Sequence, residues 1–275
     1  MYDIFRKELV EYIPNTEMTA KRNSTLPQGM GVDLPRVICR ARFPGKDQPP
    51  KELHYFCLQV LGELPRLLLE VSQTPYDSIM YFAKGEYKEF APFGQLPVYK
   101  DPELGGLLIA QSDAICNHIS REAGLTGSTI TERALQDMAW QLAKDISGKK
   151  EAIHSAEPLD PAYAALLEGA VKLLQHSKGP YITGENFGYG DIGLFHSLFT
   201  LEEIKPGFLN PWTELGKFLK AVGSITAINH YLKSPRRVPL TQNEVGKGNT
   251  GIAGFTYLKP LNPNTIKEAF DKSNL

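Results

Sequence analysis

Three residues, Tyr55, Pro97 and Ser112, combine side-chain type and spacing in a way that could recognise a small ligand. Pro97 opens a strand after a Gly-containing turn, a place where a cis bond is often used, and the residue before it must be extended. A cis bond there would turn the Leu96 backbone outward, leaving its N–H and C=O to pair with a peptide-like ligand as an added strand does. A trans proline at the start of an edge strand is the alternative. Ser112 stands at the N-cap or in the first turn of a helix, where unpaired N–H groups and the helix dipole favour a carboxylate. An ordinary helix cap with no ligand is the alternative there. Tyr55 ends an earlier strand and could bring a phenol to the same rim, or could fill a sheet face. Pro97 and Gln111-Ser112 then form one end of a small sheet, offering a backbone edge and an anion pocket about one peptide apart.

The elements that must position these residues begin at Leu53. Leu53-His54-Tyr55-Phe56-Cys57 reads as a strand, and Leu64, Leu67, Leu68, Leu69 and Val71 mark a helix after it. A second strand over Tyr76 to Tyr81 completes a right-handed βαβ unit with parallel strands. Gly94 to Tyr99 and Leu107 to Ala110 flank the turn signal Asp101-Pro102-Glu103-Leu104-Gly105-Gly106, which predicts an antiparallel hairpin. Ser112 opens a helix that Gly124 and Gly127 end.

Beyond about residue 128 helical periods take over. Expected buried stripes are Leu135, Met138, Leu142, Ile146; then Leu166, Leu167, Ala170, Leu173, Leu174; then Phe195, Leu198, Phe199; then Trp212, Leu215, Phe218, Leu219, Val222. The shift from mixed to helical composition implies an α/β domain over 53–127 and an all-helical domain over 128–235. Residues 1–52 start with an amphipathic stretch, Ile4, Phe5, Leu9, Tyr12 and Ile13, then turn polar and rich in Pro and Gly, which reads as an N-terminal extension. Residues 236–275 read as a C-terminal tail ending in a short helix from about Thr265.

Composition narrows the classes of function. A formal charge of −1, from 30 basic and 31 acidic residues, supplies no field that draws nucleic acid or acidic membranes. No apolar run approaches the roughly 18 residues of a membrane span, and Asp3, Glu8 and Glu11 interrupt any signal-peptide pattern, so a cytoplasmic location is expected. Cys39, Cys57 and Cys116 are too few and too irregularly spaced for a disulfide framework or a zinc site. No histidine pair has metal-ligand spacing, so no metal is expected; no bound cofactor is expected either.

Tyr55-Phe56 with Glu63, Arg66 and Leu67-Leu68-Leu69, then Pro92-Phe93-Gly94-Gln95-Leu96-Pro97-Val98, then Gln111-Ser112-Asp113-Ala114-Ile115, resembles the N-terminal domain of the glutathione transferases, in the manner of their sigma-like class. Tyr189-Gly190-Asp191-Ile192 is similar to that family's helix-capping segment, and Leu201 to Leu209 to its following helix and Lys-Pro turn. The resemblance covers about residues 53 to 235. It implies a thioredoxin-like α/β domain, an all-α helical domain, a homodimer, and conjugation of glutathione to a small electrophile. It further implies that Tyr55 donates a hydrogen bond to the glutathione thiolate. Gln95, Leu96 and Pro97 would meet its cysteinyl part, Gln111 and Ser112 its γ-glutamyl carboxylate, and Lys88 its glycine carboxylate. Asp145 falls where the family places an acidic residue that reaches the partner subunit's glutathione.

Departures from the family pattern open two alternatives. Leu61 stands where an arginine is expected near the thiolate, which removes a cation that favours the charged form. A protein that binds glutathione or an apolar ligand without turnover is therefore an alternative on the same fold. Cys57 lies two residues from Tyr55 on the same side of the strand, which keeps a cysteine-dependent thiol transferase as another. Lys84 replaces an expected tryptophan, and Gly188 replaces the usual Ser or Thr of the capping segment, leaving Asp191 to do more of the capping.

Overall fold

A computed structural model of the chain describes residues 9–13, 36–81, 86–150, 153, 159–234 and 236–241, with backbone only at 9–13, 36, 37 and 86. The expected amphipathic start at Ile4 and Phe5, Lys84, and the tail beyond Thr241 with its helix near Thr265 lie outside these residues. Two compact units divide the described chain. One runs to Ile115 and resumes at Lys233; the other is Cys116–Leu232, so the division falls inside a helix upstream of the Gly124 to Gly127 loop.

The first unit is built on a six-stranded sheet in the order β1-β2-β4-β3-β5-β6. In chain order the elements are β1 (Leu9–Ile13), β2 (Arg36–Ala41), β3 (Lys51–Phe56), helix α1 (Val60–Val71), β4 (Tyr76–Tyr81), β5 (Val98–Lys100), β6 (Leu108–Ala110) and helix α2 (Ser112–Glu122). β3 alternates fully buried with half-buried side chains, which puts Lys51, Leu53 and Tyr55 on one face and Glu52, His54 and Phe56 on the other. β4 pairs with β3 in parallel, from Lys51 opposite Tyr76 to Phe56 opposite Tyr81, with α1 as the crossover. β5 and β6 follow as the antiparallel hairpin. Their turn is fixed by the Asp101 carboxylate, which accepts from Glu103 N–H at 2.9 Å and pairs with the buried Lys51 ammonium at 2.5 Å. This βαβ and ββα order is the thioredoxin-like arrangement expected.

Two strands exceed that expectation. β2, from the segment read as an extension, pairs antiparallel with β4 along its whole length, and β1 pairs antiparallel with β2. Without β2, β4 would present an open row of N–H and C=O groups, which a sheet edge rarely leaves uncovered. Ile38 and Cys39 are buried, and Arg42 fixes the end of the pairing through Asp77 Oδ1 at 2.6 Å and the Tyr76 carbonyl at 3.0 Å.

The second unit is helical: α3 (Ile130–Gly148), α4 (Pro161–His176), α5 (Tyr189–Ile204), α6 (Thr213–Gly223) and α7 (Thr226–Lys233). Most of α5 is buried all round, as befits the central helix of a bundle. On α3 the buried face is Gln136, Ala139, Trp140, Ala143 and Ile146, and Met138 is 59% exposed, which corrects the expected stripe. Small residues set this register. A Cβ on Gly190 would lie 2.4 Å from the Gln136 carbonyl oxygen, and one on Gly193 would lie 2.9 Å from Trp140, so α3 approaches α5 over the glycines of α5. Among the described residues no helix is long and apolar enough to cross a membrane.

The same contact explains Gly188. Gln136 Oε1 accepts from the N–H groups of Gly190 at 2.7 Å and Asp191 at 3.3 Å, the service a Ser or Thr N-cap would give. A Cβ at position 188 would sit 2.4 Å from Gln136 Cδ, so the glycine and the glutamine are one solution. Asp191 completes the cap by accepting from Gly188 N–H at 2.9 Å, Ile182 N–H at 2.8 Å and Gln136 Nε2 at 3.0 Å. Burial pushes its carboxyl up to about 6, against the pull of the Gln136 and backbone hydrogen bonds.

Candidate active site

Sheet register brings the predicted site residues into one row. His54 lies opposite Val98, and Val98 opposite Ala110. Both pairings are antiparallel, so continuing each register one residue past its last pair puts Tyr55, Pro97 and Gln111 next to one another at the end of the sheet. Neighbouring strands are about 4.8 Å apart, which makes this row about 10 Å wide. The Leu96–Pro97 peptide bond is cis. Gln111 has φ +72°, a left-handed conformation uncommon outside glycine, and its carbonyl accepts from Ile115 N–H at 3.0 Å. That turn ends β6 and makes Ser112 the first residue of α2.

Tyr55 is packed by the first turn of α1. Its side chain belongs to the buried face of β3 at 4% exposure, and its hydroxyl oxygen accepts from Leu61 N–H at 3.3 Å. That N–H is among those at a helix start that have no partner within the helix. Gly62 makes the approach possible, since a Cβ there would stand 2.4 Å from Tyr55 Cδ1 and 2.8 Å from Cγ. The same point is 3.2 Å from Arg66 Nη2, so phenol ring and guanidinium flank the Gly62 backbone.

Arg66 and Glu63, read from the sequence as part of the family signature, form a fully buried pair at 3.2 Å. Arg66 Nη1 also donates to the Leu58 carbonyl at 3.0 Å, Nη2 to the Phe56 carbonyl at 3.4 Å, and Nε to Ser78 Oγ at 3.2 Å. These bonds tie α1 to the loop that leaves Tyr55 and to β4. Leu61 turns its side chain outward at 48% exposure, while its backbone serves the phenol. Cys57 is fully buried, an environment in which a thiol is inert rather than reactive.

The remaining predicted residues occupy more open positions. Leu96 is half-buried and packs on Val98, Tyr87 and Ala91, while Gln95 beside it is exposed. Lys88 is exposed on a 3₁₀ turn at Glu86–Glu89. Asp145 is exposed on α3, in the helical unit. Neither belongs to the sheet row. On the face of β3 away from Tyr55, Glu52 accepts from His54 Nε2 at 3.1 Å and from Lys100 at 2.8 Å. The His54 hydrogen bond, with help from Lys100, holds the Glu52 carboxyl down at about 2.

Sequence reasoning missed Gly62, whose signal was a glycine inside a helical pattern just after a strand. It also missed Gln59, Arg236 and Arg237, which bind one another's segments across the chain. Gln59 Nε2 donates to the Val238 carbonyl at 2.7 Å, Arg236 pairs with Glu70 at 2.9 Å, and Arg237 with Glu63 at 3.3 Å.

A thioredoxin-like sheet unit followed along the chain by a helical unit is the fold that the resemblance to the glutathione transferases implies. Comparison with known proteins agrees. The family model described as "Glutathione S-transferase, C-terminal domain" matches residues 136–235. Glutathione S-transferase 1 of Ascaris suum is 28% identical over 210 residues, covering 70% of this chain and 99% of the relative. Glutathione S-transferase P of Pongo abelii is 28% identical over 211 residues, covering 72% and 99%. The solved structure of a Pi-class glutathione S-transferase of Onchocerca volvulus superposes with a TM-score of 0.62 at 25% identity, over 71% of this chain and 99% of that one. These findings support the assignment of the chain to the glutathione S-transferase family.

Proposed function

We propose that the chain is a glutathione transferase in which the Tyr55 hydroxyl donates a hydrogen bond to the glutathione thiolate, which then attacks a small electrophile. The observation that carries this reading is the placement of the Tyr55 hydroxyl on the Leu61 N–H at the start of α1, in the row that also holds Pro97 and Gln111. Accepting that N–H uses an oxygen lone pair and polarises the O–H, which strengthens it as a donor. A hydrogen bond to the thiolate lowers the thiol pKa, each unit being worth roughly 1.4 kcal/mol. The row also fits the ligand in size, because three extended residues span about 10 Å.

In this reading the Leu96 backbone, with Gln95 and Pro97, pairs with the cysteinyl part of glutathione. Gln111 and Ser112 hold the γ-glutamyl carboxylate at the start of α2, and Lys88 meets the glycine carboxylate. Asp145 approaches the glutathione of a partner subunit in a homodimer, which sedimentation at micromolar concentration tests: a purely monomeric species contradicts it. The three runs from Tyr55 to Leu69, Pro92 to Val98 and Gln111 to Ile115 carry the sigma-like part of the reading. A cytoplasmic enzyme of electrophile detoxification is the role that follows.

One observation favours a second reading, a glutathione binder without turnover. The exposed Leu61 side chain puts an apolar group where the family pattern has a cation. Conjugation of a generic aryl halide separates the two. The proposed enzyme turns over, and Tyr55→Phe loses most of that rate while keeping glutathione binding; a wild type that binds glutathione without turnover establishes the binder instead. Loss confined to Cys57→Ser would move the chemistry to cysteine.

A further inference from the structure

The first turn of α1 is weakly held by its own helix. Gln59, at the N-cap, makes no side-chain cap hydrogen bond. Val60 follows with φ +25°, a conformation that is strained for a β-branched residue and persists only where surroundings impose it. Pro65 lacks the N–H that would bond the Leu61 carbonyl, so a rung of the helical ladder is missing at the residue whose N–H meets Tyr55.

What holds that turn comes from the far end of the sequence. Residues 236–238 return to the sheet unit after α7 and meet α1 at three levels. The Val238 carbonyl accepts from the buried Gln59 amide at 2.7 Å. The Gln59 carbonyl in turn accepts from the N–H groups of Gly62 at 2.8 Å and Glu63 at 3.0 Å. Arg237 Nε bonds Glu63 Oε1 at 3.3 Å while Arg66 bonds Oε2, so one buried carboxylate carries two cations. A full two turns along, Arg236 pairs with Glu70, whose other oxygen accepts from Tyr76 at 2.8 Å. All four acidic and basic partners are nine-tenths buried or more, where such pairs are screened little and broken at high cost. The family model's match ends at residue 235, one position short of this segment.

We propose that residues 236–238 are a positioning strap for Tyr55: by holding Gln59 and Glu63 they fix the first turn of α1 against the phenol, with Arg237 as the residue that sets it. The catalytic meaning of the strap rests on the glutathione reading above; its structural meaning does not. Arg237 touches no reacting atom and acts through Glu63, Gly62 and Leu61. It also supplies a second cation to the helix start at which Leu61 supplies none.

The test compares wild type with Arg237→Ala, Arg237→Gln and Arg237→Lys by amide hydrogen exchange and by the thiolate absorbance of bound glutathione. The strap predicts that Arg237→Ala speeds exchange at residues 60–63 by about tenfold, the equivalent of one modest hydrogen bond lost, with the hairpin of β5 and β6 unchanged. It further predicts that the thiolate fraction at pH 6.5 falls about threefold, or half a pKa unit, and that Lys restores both readouts in part. The Gln variant keeps a donor without the charge and gives the reading if Ala does not fold. Unchanged exchange at residues 60–63, or an equal rise throughout β3, α1 and β4, overturns the strap. Absence of thiolate in the wild type refutes the glutathione reading instead, and the exchange data then decide the strap alone.

Discussion

Gly62→Ala tests whether the placement of Tyr55 matters to the chemistry. The added Cβ would fall 2.4 Å from Tyr55 Cδ1 and 2.8 Å from Cγ. Carbon atoms pack at about 3.5 to 4 Å, so either the ring withdraws by about 1 Å or α1 shifts outward by as much. Withdrawal on either side breaks the 3.3 Å contact from Leu61 N–H, which has no slack to absorb it. A misplacement of about 1 Å at a catalytic group costs roughly a hundredfold in rate, equivalent to about 2.7 kcal/mol of transition-state stabilisation. Overpacking should cost about 1–3 kcal/mol of stability as well. The assay is steady-state conjugation of an aryl halide with melting curves taken alongside. Gly169→Ala is the control, because a Cβ there meets nothing within 4 Å, and it should be neutral or stabilising by up to about 1 kcal/mol. A Gly62→Ala protein with wild-type kcat and wild-type Tm would mean that the ring is neither displaced nor needed.

Three further outcomes follow from the described contacts. Burial raises Asp191 from 3.8 to about 6, so between those values the folded chain keeps a proton that the unfolded chain has lost. The stability this group contributes is full below pH about 4 and is lost as pH rises through about 6, by up to about 3 kcal/mol. Wild type should therefore lose stability relative to Asp191→Asn across that window in denaturant titrations; a constant difference contradicts it. Gly188→Ser should destabilise by about 1–3 kcal/mol through its clash with Gln136, and adding Gln136→Ala should recover part of it. Additive effects in that double-mutant cycle would show that the two positions do not share the space. Asp101→Ala leaves the buried Lys51 ammonium beside the exposed Glu103 carboxylate at 3.5 Å as its one ion-pair partner among the described residues, and should cost about 3 kcal/mol in chemical denaturation; a loss near zero would mean the ammonium finds water.

What the sequence made legible was local. The short apolar run Leu53 to Cys57 placed β3, the apolar positions from Leu64 to Val71 placed α1, and the Asp101 to Gly106 turn signal placed the β5 and β6 hairpin. Those three together determine the register that lines up Tyr55, Pro97 and Gln111. Contacts between distant segments were not legible. Residues 36–41 become a strand because β4 needs a neighbour, a fact invisible in a stretch whose composition is polar and rich in Pro and Gly. Arg236 and Arg237 fall in the segment read as a C-terminal tail; only the fold shows that Glu70 and Glu63 lie buried opposite them. Met138 was assigned to a buried stripe from hydrophobicity, whereas α3 turns its Gln136 and Trp140 face inward because Gly190 and Gly193 admit them. Gln136 in particular carries no hydrophobic signal, and its role as a cap for another helix depends on Gly188 being 52 residues away in sequence and in contact in space.

The proposed chemistry requires Tyr55 to hold a glutathione thiolate. The ultraviolet absorbance of the thiolate, followed as glutathione is titrated into wild type and Tyr55→Phe near pH 6.5, measures it without any electrophile. A cysteine thiol in solution ionises near pH 8.5, so the expected result is a thiolate signal with wild type that is abolished or reduced about tenfold in the phenylalanine variant. An equal thiolate signal in both proteins at equal occupancy would contradict it.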